Sequence, residues 1–211
     1  MSDKGNLYII SAPSGTGKTT LVKALVEAMP GITVSISHTT RERRPAEQHG
    51  INYYFISQNE FDQMVAQHDF LEYATVFGRS YGTSRRWVED TLAQGNDVIL
   101  EIDWQGCQQI QRLFPDSISI FILPPSVPDL YQRLINRNQD NHEVIKQRIA
   151  DVSESTQHIG EYRYVIINDD FAVALQDLKT IIQAGRLLEH CQANKFAKLL
   201  NDLVTAKVDG F

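Results

Sequence analysis

The run Ser11-Ala12-Pro13-Ser14-Gly15-Thr16-Gly17-Lys18-Thr19 follows directly on the apolar stretch Leu7–Ile10. Strand, glycine loop and helix N-terminus, in that order, make a phosphate cradle. The loop N–H groups converge on a phosphate chain, and the helix end adds partial positive charge. In such a loop Lys18 reaches the β- and γ-phosphates, and the Thr19 hydroxyl can ligate Mg²⁺. Ala12 stands where G-x-x-x-x-G-K-[ST] has its first glycine, but Gly15 and Gly17, nearest the phosphates, are retained. A plain glycine-rich turn is the alternative, and the strand–loop–helix context disfavours it. The chain therefore reads as a binder of nucleoside triphosphates.

A phosphoryl acceptor requires a second set of donors. Arg41, Arg43 and Arg44 lie together in Ser37–Pro45, after another strand end. Guanidiniums on one loop can fork onto an oxyanion such as a monophosphate. Tyr53 and Tyr81 each carry an O–H able to donate to a phosphate oxygen. Taken singly, the arginine cluster also reads as a solvated surface run, and either tyrosine as a buried aromatic.

The elements that must position these groups alternate. Strand-like runs fall at Leu7–Ile10, Thr33–Ser37, Asp97–Ile102, Ile118–Leu123 and Tyr164–Ile167. Helical patterns fall between them at Lys18–Ala28, Gln105–Leu113, Pro128–Arg137, Glu143–Ile159 and Phe171–Gln183. Continuous apolar runs such as Val98–Leu100 suit strands buried on both faces. The expected fold class is α/β, a parallel sheet flanked by helices with ligands at the carboxyl ends of the strands. Residues 38–89 break the rhythm with aromatic alternating segments and a capping-box start at Ser57–Glu60, and read as a β-rich insertion. Residues 125–157 hold two helical patterns around a polar turn, Asn136–Asn141, suited to a mobile lid. The remaining segments, 1–37, 90–124 and 158–211, form the core. Gly185–Val204 reads as one helix whose Leu and Ala positions dock on that core, with a frayed end beyond it.

Composition narrows the classes further. A hydrophobic fraction of 42% over 211 residues allows a substantial buried core. The net charge of −6 argues against a nucleic-acid surface binder, so phosphate binding must rest on local Lys and Arg clusters. Cys107 and Cys191 form no C-x-x-C, which leaves neither a disulfide framework nor a zinc site. No apolar run reaches membrane-spanning length and no signal segment is evident, so the expected compartment is the cytoplasm.

Several motifs taken together, in order and over nearly the whole chain, closely resemble the bacterial guanylate kinases. They are the phosphate loop, Ser35–Arg41 with Arg44-Pro45, Phe70-Leu71-Glu72, Tyr81–Ser84, Ile102–Gly106 and Ile167–Asp170. The resemblance implies a P-loop NTPase-type core, a GMP-binding insertion and a helical lid. It implies transfer of the γ-phosphoryl group of ATP to GMP, with dGMP as a further acceptor, and Mg²⁺ as the accompanying ion. Ser14, Gly15, Thr16, Gly17, Lys18, Thr19 and Thr20 would then hold ATP, with Arg133 and Asn168 beside them. Arg41, Arg44, Tyr53 and Tyr81 would hold the phosphate of GMP, and Ser37, Glu72, Thr83 and Asp103 would face its base. Lys18, Arg41, Arg137 and Arg148 would carry the catalytic charge, and Thr19 the metal.

Arg133 and Arg137, four residues apart, share one helix face. Asn136 and Asn138 flank Arg137 where the family usually has glycines. Asp103, after a hydrophobic strand ending in acids, also fits a Walker-B-like role near Mg²⁺; Glu101 stands where the family usually has Asp, and no role is assigned to it. Without the resemblance, Glu72 reads as an exposed strand carboxylate. A kinase for AMP or dTMP is one rival, opposed by Glu72 with Asp103. A non-catalytic phosphopeptide-binding module is another, opposed by the retention of Lys18, Arg133, Arg137 and Arg148. The sequence allows a homo-oligomer without specifying one.

Overall fold

The computed structural model describes residues 4–136 and 142–206, without the side chains of 142–147 and 151. Five parallel strands form the central sheet: β1 (Leu7–Ser11), β2 (Ile32–Val34), β7 (Asp97–Leu100), β8 (Ile118–Leu123) and β9 (Tyr164–Ile167). Their spatial order is β2-β7-β1-β8-β9, which puts β1 at the centre and the loop after it at the carboxyl edge. Successive side chains of β1 enter opposite layers, as a strand covered on both faces requires. Tyr8 and Ile10 pack under Leu21, Val22 and Leu25 of α1 (Lys18–Ala28) and Leu178 and Ile182 of α7 (Phe171–Arg186). Leu7 and Ile9 pack under Val88 and Leu92 of α3 (Arg85–Ala93) and Cys107 and Ile110 of α4 (Trp104–Leu113).

A second sheet, β4-β3-β6-β5, comprises β3 (His38–Thr39), β4 (Tyr54–Phe55), β5 (Phe70–Val76) and β6 (Arg79–Ser84). Between β4 and β5 lies α2 (Gln58–Ala66), which starts on the expected capping box. Ser57 Oγ accepts from the Glu60 N–H at 3.2 Å, and Glu60 accepts from the Ser57 N–H at 2.8 Å. The β5–β6 hairpin turns through Phe77 and Gly78, with φ of 51° and 69°. Two successive positive φ values match the right-handed twist of the flanking strands. Pairing steps from Phe70↔Ser84 to Glu72↔Thr83, so Leu71 is one residue extra on β5. Such a bulge re-aims the side chains beside it. Here it leaves Phe70, Leu71 and Glu72 all buried.

Residues 125–157, expected to form a lid, contain α5 (Val127–Asn136) and α6 (His142–Gln157). Most of the polar turn between them, with Arg137 and Asn138, lies outside the described residues. Two expectations are revised. The strand expected at Thr33–Ser37 is shorter and earlier, at Ile32–Val34. The terminal helix expected over Gly185–Val204 is broken, because Leu188 adopts an extended backbone (ψ 145°). Two short helices, α8 (Glu189–Lys195) and α9 (Ala197–Thr205), take its place. Leu199, Leu200, Leu203 and Val204 of α9 remain exposed instead of docked. No helix among the described residues is long and apolar enough to cross a membrane.

Candidate active site

The loop between β1 and α1 adopts the conformation its glycines permit. Gly15 and Gly17 take φ of 94° and 93°, a region costly for any residue with a Cβ. Space is restricted there as well. A Cβ on Gly15 would meet Leu130 and Leu134 of the lid helix α5, at 2.9 and 2.8 Å. A Cβ on Gly17 would meet Asn168 Nδ2 at 2.6 Å. Thr16 is buried and donates its hydroxyl to the Pro13 carbonyl at 3.1 Å. Its own carbonyl accepts from Asn168 Nδ2 at 2.6 Å and from Arg133 at 3.3 Å. Arg133 also donates to the Asn168 carbonyl at 3.0 Å, and Arg148 donates to Ser14 Oγ at 2.6 Å. Arg133 of α5, Arg148 of α6 and the residue after β9 therefore converge on the phosphate loop. Thr20 lies one residue into α1 beyond Thr19, exposed.

At the same carboxyl edge, β7 brings Glu101 against the loop. Its carboxylate accepts from Thr19 Oγ1 at 3.2 Å and lies 3.8 Å from Lys18 Nζ. Glu101 joins the site on these contacts, which the spacing of two acids along a strand could not assign. Thr19 and Glu101 are hard oxygen donors of the kind Mg²⁺ takes together with substrate phosphates. Among the described residues no group of three or more His, Cys, Asp or Glu could hold a metal unaided. That donor set fits an ion that arrives with a nucleotide.

Across the cleft the second sheet assembles the arginine and tyrosine donors. Arg41 lies over the Tyr53 ring at 5.3 Å, and the Tyr53 and Tyr81 rings meet edge-on at 6.0 Å. Burial, then Tyr81 and Glu101, pushes the Tyr53 hydroxyl up to about 12, so it remains a hydrogen-bond donor at neutral pH. Arg41 pairs with Glu47 at 2.7 Å. Burial opposes the guanidinium charge, but the hydrogen bond and charge of Glu47 hold its pKa above the ordinary value. Glu47 had no sequence signal, because loop residues six apart have no fixed relation. Arg44 is exposed, and only its backbone N–H reaches Glu47, at 2.9 Å. Arg41 and Arg44 thus share Glu47 as a partner, one through its guanidinium and the other through its backbone N–H.

Deeper in the cleft sits the acidic pair. Glu72 is 3% exposed and accepts from the Thr83 hydroxyl at 2.5 Å. Burial pushes its carboxyl up to about 7; the Thr83 hydrogen bond opposes this and the Asp103 charge adds to it. Asp103 caps α4, accepting from the Gly106 N–H at 3.0 Å and from Gln105 Nε2 at 3.0 Å. Ser37, half-buried, accepts at its carbonyl from the Tyr54 N–H at 2.9 Å. The structure therefore brings together a phosphate loop with its cations, an arginine–tyrosine group, and two neighbouring carboxylates.

The family model described as guanylate kinase matches residues 4–185. A guanylate kinase of Vibrio parahaemolyticus is 52% identical over 203 residues, covering 95% of this chain and 98% of that protein. One from Pseudomonas fluorescens strain Pf0-1 is 54% identical over 200 residues, covering 95% and 97%. Among solved structures, the crystal structure of guanylate kinase from Anaplasma phagocytophilum matches with a TM-score of 0.80 at 28% identity. The match covers 97% of both chains. On these similarities the chain belongs to the guanylate kinase family.

Proposed function

We propose that Glu72 and Asp103 read guanine while Arg41, Arg44, Tyr53 and Tyr81 hold the acceptor phosphate, in a chain that transfers the γ-phosphoryl group of ATP to GMP. The observation that carries this reading is the buried Glu72 carboxylate beside Asp103. Guanine offers N1–H and N2–H₂ donors on one edge, and an ionised carboxylate is an acceptor at both oxygens. Adenine offers a lone pair at N1, which would leave Glu72 buried and unpaired. Discrimination of about 10⁴ or more is the expected consequence. Thr83 and Ser37 supply hydroxyls around the base. Acceptance of dGMP turns on contacts near the 2′ position.

The attacking group is a phosphate oxygen of GMP, already an oxyanion, so no general base is required. A bond forms from that oxygen to the γ-phosphorus as the bond to the β-bridging oxygen breaks, leaving GDP and ADP. Catalysis is positioning and charge neutralisation. Ser14 to Thr20 wrap the triphosphate, Lys18 lies against its terminal phosphates, and Arg133 and Asn168 close over the loop. Arg148, and Arg137 outside the described residues, are assigned to the transferring group. Mg²⁺, held by Thr19 with Glu101 nearby, would neutralise charge on the β- and γ-phosphates. Residues 38–89 act as the acceptor-binding unit and 125–157 as a lid, over a core of 1–37, 90–124 and 158–211. The cytoplasm, where ATP is supplied, is the compartment this chemistry favours. A homo-oligomer is compatible with the uncovered apolar face of α9.

The test is ADP release from Mg-ATP with GMP, dGMP, AMP, UMP and dTMP as acceptors. Turnover confined to guanine nucleotides is expected. Turnover with another base would keep the kinase and remove the acidic pair as its reader. Protein that binds ATP or GMP yet turns over no acceptor would be a binding module instead.

A further inference from the structure

Gly106 occupies the first turn of α4, between the two acids of the cleft. Its φ is not positive, so the backbone there does not call for glycine. A glycine within a helix is less stable than alanine there, so its presence needs another cause. Space supplies it. A Cβ at this position would overlap Glu72 Oε2 and lie 3.1 Å from Glu72 Cδ and 3.2 Å from Ile102 Cδ1. The same residue donates its N–H to Asp103 Oδ1 at 3.0 Å. One residue therefore contacts both carboxylates, seating one by absent volume and anchoring the other by a hydrogen bond.

The contact is held from three directions. Thr83 ties the other Glu72 oxygen at 2.5 Å, so the carboxylate cannot swing away without losing that bond. The bulge at Leu71 fixes the strand beneath it. One turn further along α4, Gln109 accepts from the Tyr73 N–H at 3.2 Å and donates to the Tyr73 carbonyl at 2.8 Å. That amide pairs with the edge strand β5 as a neighbouring strand would, locking the helix to the second sheet. The Gln109 amide thereby ties α4 to the backbone of β5 one turn beyond Gly106, and Glu72 fills the gap between them.

We propose that Gly106 is a specificity-positioning residue, whose missing side chain seats the Glu72 carboxylate beside Asp103 at the spacing guanine requires. The proposal rests on the reading of Glu72 as the base acceptor. An alanine methyl would meet the flexible end of Glu72, so the carboxylate moves and the fold survives. Misplacing a hydrogen-bonding carboxylate by roughly an ångström forfeits one to two bonds, about 10- to 100-fold in discrimination.

The experiment is a double-mutant cycle on kcat/KM for GMP, IMP and AMP, with KM for ATP and thermal stability measured alongside. Gly106→Ala is expected to raise KM for GMP and to lower the GMP:AMP and GMP:IMP ratios about 10-fold or more, with KM for ATP unchanged and the protein still folded. In a Glu72→Ala background the same change is expected to do nothing further. Glu72→Asp, shorter by one methylene, is expected to recover part of the GMP:AMP ratio when combined with Gly106→Ala. Unaltered ratios in Gly106→Ala, where Glu72→Ala lowers them, would overturn the role of Gly106 and leave the base reading standing. Equal losses in both backgrounds would overturn it too, since Gly106 would then not act through Glu72. Unaltered ratios in Glu72→Ala would overturn the base reading and this proposal with it. Misfolded Gly106→Ala protein that Glu72→Asp does not rescue would make the glycine a general packing residue, against the proposal.

Discussion

Replacing Lys18 with alanine lowers kcat by about 10²–10³ or more while the protein still folds, because one preorganised donor on developing charge is worth that much. Lys18 opens α1 at the mouth of the phosphate loop, with its ammonium 3.8 Å from Glu101. Truncation removes the cation that bridges the loop and the terminal phosphates, and leaves the Glu101 carboxylate facing the same anions. The two effects act in one direction. Arg133 and Arg148 do not compensate, since they approach the loop at Thr16 and Ser14, from α5 and α6. Steady-state turnover with saturating GMP and ATP, on protein with an unchanged melting transition, checks this. Near-normal turnover in folded Lys18→Ala protein would remove the phosphate loop from the chemistry.

The apparent KM for GMP rises as pH falls below 7. Burial pushes the Glu72 carboxyl up to about 7 in the unliganded cleft, and only the ionised form accepts from both guanine donors. Each pH unit below that value lowers the ionised fraction about tenfold, and KM for GMP follows at the same limiting slope. The acceptor phosphate also titrates, with a second pKa of about 6 for phosphate monoesters, so the control matters. Glu72→Gln retains the phosphate contribution and loses the carboxyl one, and its profile should be flat between pH 8 and 7. Equal profiles in the two proteins would mean that Glu72 does not meet the base.

Stability moves with the same proton. The folded-state pKa lies above the 4.5 of a free carboxyl, so between about 4.5 and 7 the folded chain keeps a proton that the unfolded chain has lost. Unliganded stability therefore declines as pH rises through that window, by on the order of 1–3 kcal/mol from this group. Glu72→Gln should lack that decline.

How much of this was legible in the sequence depends on whether a signal is local. The phosphate loop was, because its glycines, lysine and threonine are contiguous and sit between an apolar run and a helix. The capping box at Ser57 and Glu60 was, because three-residue spacing is the whole of its geometry. The burial of Glu72 was not. Alternation along β5 puts an acid among apolar residues, and only the bulge at Leu71, with Thr83 across the pair, reveals an inward carboxylate. Glu47 and Glu101 escaped assignment because their partners come from another part of a loop and from another strand-end loop. The apolar face of α9 was visible as a period, but periodicity gives no address. The same pattern suits a helix on its own core or one facing away, and here the face of α9 is exposed.

The most direct measurement is the ratio of kcat/KM for GMP to that for AMP, in the chain and in Glu72→Gln, at pH 8. The expected result is a preference for GMP of about 10⁴ or more, falling about 10²-fold or more in the variant, as two charge-assisted bonds to the base are lost. An unchanged ratio in folded, active Glu72→Gln protein would contradict the claim that this carboxylate reads guanine.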